Sequence, residues 1–274
     1  LAHLNVLNYI DVSENLLSWV KDFEPAFEVL GIPVGIPQAQ ETTKSFEESI
    51  RYVEKRSDFS GKLARSHPKM DFNFMGLNIV EHMLNELEVS IDSKLEQFKP
   101  KTYQKDSDFA ENILGKFKGK TILIHPFGGW NLKKIPNDIL KKIIEISKYE
   151  DIKLIQIGGI NDEKIAGLDG WILENYSLGQ WRAIFEKSHG LIGVDSWTSH
   201  FGAILGIKQV TLYGSTKARD VNIKKFFINQ NSESIIFDSE KDCSPCHSLK
   251  CKYQKNYCLG YKINEEKILK FIRE

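Results

Sequence analysis

The chain has 274 residues, of which 41% are hydrophobic and 27% charged, a soluble-domain composition with length enough for two domains. No apolar run approaches the roughly 20 residues that cross a bilayer, which excludes an integral helical membrane protein. Lysine plus arginine equal aspartate plus glutamate at 37 each, so no global field selects nucleic acid or an anionic membrane, and any anion site must be local.

The first residues, LAHLNVLNYIDVSEN, lack the basic start, apolar centre and small-residue cleavage site of a secretory signal. A cytoplasmic location follows as the expectation, with the inner face of the membrane as an alternative. ENLLSWVKDFEPAFEVLG and NFMGLNIVEHMLNELEVSI carry helical spacing, whereas GIPVGIPQAQETTKS reads as loop or a short extended piece. Asp11 follows the apolar LNVLNYI and precedes the first helical pattern. FKPKTYQKDSD (98–108) is polar, contains Pro100 and reads as a linker, which sets a boundary near residue 115.

From Lys120 the pattern alternates. TILIHPF is an apolar run ended by Pro126 and a Gly-Gly pair, and PNDILKKIIEISKY follows with helical spacing at Ile139, Ile143 and Ile146. KLIQIGG is a second strand, WILENYS a third, and LGQWRAIFEKS a helix. GLIGVDS and QVTLYGS are the next strands, separated by the helix TSHFGAILG, which Gly206 closes. Strict alternation of short strands and helices predicts a parallel, doubly wound sheet of nucleotide-binding type.

Ligands of such sheets bind at the carboxyl ends of the strands, where helix N-termini present free N–H groups. His125, Gly128, Gly129, Lys133 and Lys134 follow the first strand; Gly158, Gly159, Asp162 and Glu163 follow the second. Asp195, Ser196, Thr198 and His200 follow the fourth, and Gly214, Ser215, Thr216 and Lys217 the fifth. Glycines that admit a close approach, beside hydroxyls at a helix start, describe a diphosphate cradle. The same Asp195, Ser196 and Thr198 also serve as an ordinary helix cap, and the residues alone leave both roles open.

All four cysteines fall in CSPCHSLKCKYQKNYC, spaced C-x2-C-x4-C-x6-C at Cys243, Cys246, Cys251 and Cys258. Closely spaced thiols favour a tetrahedral site for structural zinc or iron; a pair of disulfides or four buried thiols are the alternatives. Lys241, Lys250, Lys252 and Lys255 make the segment basic and keep a nucleic-acid-binding knuckle as a rival. Stacking aromatics are few there (Tyr253, Tyr257), so no nucleic-acid partner is expected.

In order, HPFGGWNLKKIP, IQIGGINDEK, GLIGVDSWTSHFGAILGIKQVTLYGST and the cysteine tail resemble the ADP-heptose-dependent heptosyltransferases of bacterial glycosyltransferase family nine, including its autotransporter-modifying branch. The resemblance covers about residues 118–274. It implies an α/β fold of GT-B type with two Rossmann-like domains: a short or incomplete acceptor-side domain at 1–115, and a clear nucleotide-sugar-binding domain at 116–274 that ends in the Cys-rich tail.

The same resemblance implies inverting transfer of heptose from ADP-heptose to a lipopolysaccharide-core or protein hydroxyl, with no cofactor required for transfer. Lys133 or Lys134 would contact the donor diphosphate at the Gly128-Gly129 turn. Asp195, Ser196, Trp197 and Thr198 would line the phosphate and sugar site, with His200 nearby and Glu163 on the ribose. Asp11, at a strand end before a helix, sits where the family's catalytic base would, with a plain helix cap as its alternative role. Three departures stand out: Trp197-Thr198 where small residues and Met are usual, Ser215 where Pro is frequent, and no N-terminal Gly-Asp element. A transferase for another nucleotide sugar, or a non-catalytic sugar-nucleotide-binding module, is the alternative. Oligomerisation is compatible with either.

Overall fold

The computed structural model describes residues 78, 80–81, 102–129, 131–226, 233–246, 251–253, 258 and 263–273. The chain divides into two compact units, Leu1–Asp92 and Ser93–Glu274, and the second contains nearly all of the described residues. Asp11, the helical pattern expected over 14–31 and nearly all of that expected over 73–91 lie outside the described residues.

The second unit opens on α1 (Gln104–Leu114) and continues through β1 (Lys120–His125), α2 (Asn137–Tyr149), β2 (Ile152–Gly158), β3 (Gly170–Leu173), α3 (Leu178–Lys187) and β4 (Gly190–Val194). It ends with α4 (Trp197–Leu205), β5 (Gln209–Tyr213), the short α5 (Ala218–Val221), a 3-10 turn (Lys224–Phe226), β6 (Ser234–Asp238) and α6 (Glu265–Arg273). The strands form one six-stranded sheet in the order β3-β2-β1-β4-β5-β6, with every pair parallel.

The central strands are continuous apolar runs because helices cover both faces. In β1, Thr121 to His125 are all buried, and β4 and β5 are buried throughout. One core joins Ile122, Ile124, Ile192, Val194, Val210 and Leu212 of the sheet to Ile139, Leu140, Ile143 and Ile144 of α2 and to Ile268, Phe271 and Ile272 of α6. The C-terminus of α6 receives two cations: Lys208 Nζ donates to the Phe271 carbonyl at 3.0 Å and Lys120 Nζ to that of Arg273 at 2.6 Å.

Besides the short α5 and the 3-10 turn, three elements were absent from the sequence expectation. Residues 104–108, read as linker, open α1: Asp106 Oδ2 accepts from the Tyr103 backbone N–H at 2.9 Å and starts the helix. That helix packs on α3 inside the second unit, with Phe109 edge-on to Tyr176 at 4.8 Å, so packing extends this unit well ahead of the expected boundary near residue 115. The other two are β6, whose Ile235 and Phe237 face the core while Ile236 faces out, and α6. Gly206 does close α4: its φ of 72° is left-handed, and Ile207 N–H bonds back to the Gly202 carbonyl.

Candidate functional site

The strand order places a reversal between β1 and β4. The chain steps from β1 outward to β2 and β3, then returns to β4 on the other side of β1 and continues outward to β5 and β6. The connections leaving β1 and β4 therefore diverge and open a crevice at the carboxyl ends of these two strands. His125 ends β1 and is registered with Gly193, two residues before Asp195. The two residues flank the crevice.

Asp195 is 2% exposed, and its side chain sits among charged and hydrogen-bonding groups. Lys133 Nζ lies 2.6 Å from its Oδ2, Thr216 Oγ1 donates to Oδ2 at 2.8 Å, and His200 Nε2 stands 3.5 Å from Oδ1. Burial by itself drives the carboxyl upward; the Lys133 ammonium, His200 and the Thr216 hydroxyl outweigh that and hold it below the usual carboxylate range. At His200 burial dominates: it pushes the imidazole down, Asp195 pulls it up, and Lys133 pushes it down again. The strand therefore ends on an ionised carboxylate with a dedicated cation. Lys134 is fixed differently, by a backbone bridge to Phe127.

Ser196 caps α4. Its backbone N–H donates to Ser199 Oγ at 3.3 Å, and Ser199 Oγ in turn donates to the Ser196 carbonyl at 2.8 Å. The Ser196 hydroxyl contacts Thr198 Oγ1 at 2.9 Å and His125 Nδ1 at 3.0 Å, and Thr198 Oγ1 is 3.1 Å from the same nitrogen. The cap sits where the N-terminus of α4 points its positive dipole end into the crevice beside these hydroxyls. Trp197, 36% exposed, is the outermost ring of a cluster: Trp181 lies 5.4 Å away, with Phe185 and Phe201 behind it, all three buried.

The two glycines after β1 differ in role. A Cβ on Gly128 would stand 2.5 Å from Lys133 Cβ and 3.1 Å from the Asp195 carbonyl, so Gly128 lets the β1 turn close onto the ion pair. Gly129 has nothing within 4 Å and faces open space. After β2, Asp162 Oδ2 accepts from Gly159 N–H at 2.9 Å and sits 3.8 Å from His125 Nε2. The His125 imidazole and the Gly159 N–H hold that carboxyl low against a raising effect of burial. Glu163 is exposed at its side chain; its carbonyl accepts from Gln156 Nε2 at 2.7 Å, while Gln156 Oε1 accepts from Ile165 N–H at 2.8 Å.

The cysteine segment braces this site from two sides. Ser244 Oγ donates to the Gly214 carbonyl at 2.7 Å and Cys246 N–H to that of Ser215 at 3.0 Å, immediately before Thr216. Cys258 and Cys251 pack on buried Leu132, immediately before Lys133. The four cysteines are free thiols, and burial followed by the charges of Cys246, Cys251 and Cys243 pushes the Cys258 thiol up to about 11. They share a neighbourhood, yet among the described residues no three His, Cys, Asp or Glu side chains stand in a metal-holding arrangement. A set of four thiolate donors suits zinc or iron chemically, but these thiols do not converge.

Lys133, Gly128, Gly129, Asp195, Ser196, Trp197, Thr198 and His200 thus gather at one crevice, whereas the described contact of Glu163 is its carbonyl accepting from Gln156. The sequence placed His125, Asp162 and Thr216 at ligand-binding strand ends without a specific contact for any of them, and Gln156 was passed over. Gln156 carried the clearest signal, a polar residue inside the apolar run LIQIG and completely buried. No helix among the described residues is long and apolar enough to cross a membrane.

The glycosyl transferase family 9 structure from Veillonella parvula DSM 2008 superposes with a TM-score of 0.55 at 13% identity, covering 98% of this chain and 90% of that one. The dodecameric iron-containing heptosyltransferase TibC of enterotoxigenic E. coli H10407, solved in complex with ADP-D-beta-D-heptose, gives a TM-score of 0.50 at 14% identity. There the match covers 77% of this chain and 55% of TibC, so the chain spans little more than half its length. These superpositions show a common fold, the α/β GT-B type. No curated protein matches the chain. The sequence profile of glycosyltransferase family 9 (heptosyltransferase) matches residues 69–257, more than half of the sequence and the whole of the crevice just described, and the chain belongs to that family.

Proposed function

We propose that this chain transfers heptose from ADP-heptose to an acceptor hydroxyl with inversion at the anomeric carbon. The observation that carries the reading is the buried Lys133–Asp195 pair beside the N-terminus of α4, at the point where the strand order reverses. Charge develops on the departing diphosphate as the glycosidic bond breaks. A fixed ammonium and a helix N-terminus favour that charge more in the transition state than in the ground state. Asp195 is buried and tied to Lys133 and Thr216, so it orients the cation rather than abstracting a proton.

In this reading Lys133, with Lys134 beside it, Ser196 and Thr198 meet the diphosphate. Gly129 leaves room for it, and Gly128 holds the turn closed beneath it. Glu163 reaches the ribose, and His200 and Trp197 border the sugar. The acceptor hydroxyl gives its proton to a carboxylate as its oxygen attacks, and Asp11 is our candidate for that base. The acceptor is the inner core of lipopolysaccharide or a serine of an autotransporter protein. No step passes through a metal; the four thiols would bind zinc or iron only by drawing together, and a structural role for that metal is the accompanying proposal.

Incubation with ADP-heptose and each acceptor type, followed by mass spectrometry and anomeric NMR of the product, tests the reading. It predicts addition of one heptose with inverted configuration to one acceptor; release of free heptose alone, or no turnover with either, contradicts it. Trp197 supports a second reading, a different nucleotide sugar, because an indole at the first position of α4 narrows the space beside the diphosphate. Competition among nucleotide sugars for the same site separates the two.

A further inference from the structure

His125 is buried, ends the central strand, and uses both ring nitrogens, yet the transfer chemistry above gives it no task. Its Nδ1 meets the Ser196 and Thr198 hydroxyls at 3.0 and 3.1 Å, and its Nε2 lies 3.8 Å from Asp162 Oδ2. That last separation exceeds a direct hydrogen bond but leaves a charge–dipole contact between buried His125 and the partly exposed Asp162 carboxylate. Resting on the donor-site reading, we infer that His125 is a positioning residue that orders the hydroxyl pair at the start of α4 for the donor diphosphate.

The tautomer of His125 sets the direction of these hydrogen bonds. A carboxylate held ionised beside Nε2 favours the proton on that nitrogen and leaves the Nδ1 lone pair open. Nδ1 then accepts a hydroxyl proton. Ser196 and Thr198 are 2.9 Å apart and have one hydroxyl proton each, so one proton is committed to the imidazole and the other is shared with the neighbouring hydroxyl, from which a bound anion can draw it. Asp162 also accepts from Gly159 N–H, so the same imidazole ties the turn after β2 to the helix after β4. The two walls of the donor site are thereby held in one register by a side chain that need not touch the donor.

Histidine variants separate the two nitrogens. His125→Asn keeps a polar atom where Nδ1 stood, His125→Gln extends one toward Asp162 instead, and His125→Ala keeps neither. Isothermal titration of the full chain with ADP is expected to leave His125→Asn within about threefold of wild type and to weaken His125→Gln and His125→Ala about tenfold or more, each losing the equivalent of one ordered hydrogen bond. Nitrogen-15 NMR of the wild-type chain, with the His125 signals assigned through the Asn variant, is expected to place the ring proton on Nε2. An Asn variant that is folded yet binds no better than Ala, or a ring proton on Nδ1, overturns the role of His125. A wild-type chain that does not bind ADP overturns the donor-site reading and this inference with it.

Discussion

Asparagine at position 195 preserves the shape of the side chain and its capacity to accept from Thr216 while removing the charge that Lys133 faces. The pair is deeply placed, with side-chain exposures of 3% for Asp195 and 13% for Lys133. Removing one member of a buried ion pair costs about 3–5 kcal/mol, because the remaining charge loses its main compensation for desolvation. Lys133 retains some access to water, which puts Asp195→Asn at the lower end, about 3 kcal/mol. At roughly 2–4 °C per kcal/mol for a unit of this size, the melting temperature should fall by about 6–12 °C. Adding Lys133→Met removes the stranded cation and should recover most of that loss, since an apolar pair of similar volume is close to neutral. Differential scanning calorimetry of the wild type, both single variants and the double variant measures all of this. Melting of Asp195→Asn within about 2 °C of wild type, or a double variant less stable than either single one, would refute the reasoning.

The two glycines after β1 should separate sharply. Gly128→Ala forces a Cβ against Lys133 and Asp195 and should cost about 1–3 kcal/mol, while Gly129→Ala, with open space around it, should stay within about 0.5 kcal/mol, as urea denaturation will report. Asp162 and Asp195 both titrate below the ordinary 3.8, so the unfolded chain binds more protons than the folded one as acid is added. The stability they confer is complete above that value and lost as pH falls through the depressed values; a urea midpoint unchanged from about pH 5 to pH 3 would contradict this. Mass-spectrometric alkylation at about pH 8 in the absence of metal should modify exposed Cys246 first and Cys258 last, because the latter is buried and its thiol is pushed up to about 11. Ser244→Ala leaves the buried Gly214 carbonyl without its hydroxyl donor and should cost about 1–3 kcal/mol by urea denaturation.

The central strands were readable because burial on both faces demands a largely apolar run, and TILIH, LIQIG, LIGV and VTLY supply it with Gln156 and Thr211 as the internal polar interruptions. β6 was not, since SIIFD buries one face only and its alternation lasts five residues. α1 escaped because its start depends on Asp106 reaching back to Tyr103 instead of on a Ser or Thr cap, and QKDSD reads as linker without that contact. At the site, position after a strand was enough to single out Asp195, Ser196 and Thr198. It could not distinguish adjacent Lys133 and Lys134; in the fold Lys133 pairs with Asp195 while the Lys134 backbone bridges to Phe127. Nor could it pair His125 with hydroxyls some seventy positions away, because that contact exists only once β1 and β4 lie side by side.

Binding of an adenosine diphosphate donor in the crevice between β1 and β4, through the Lys133–Asp195 unit, is the central claim. Isothermal titration of the full chain with ADP, UDP and GDP, repeated on Asp195→Ala, addresses it directly. The predicted result is tightest binding of ADP, weakened about tenfold or more in the variant as Lys133 and Thr216 lose their shared anchor. Equal affinity for the three nucleotides, together with unchanged ADP binding in Asp195→Ala, would contradict it.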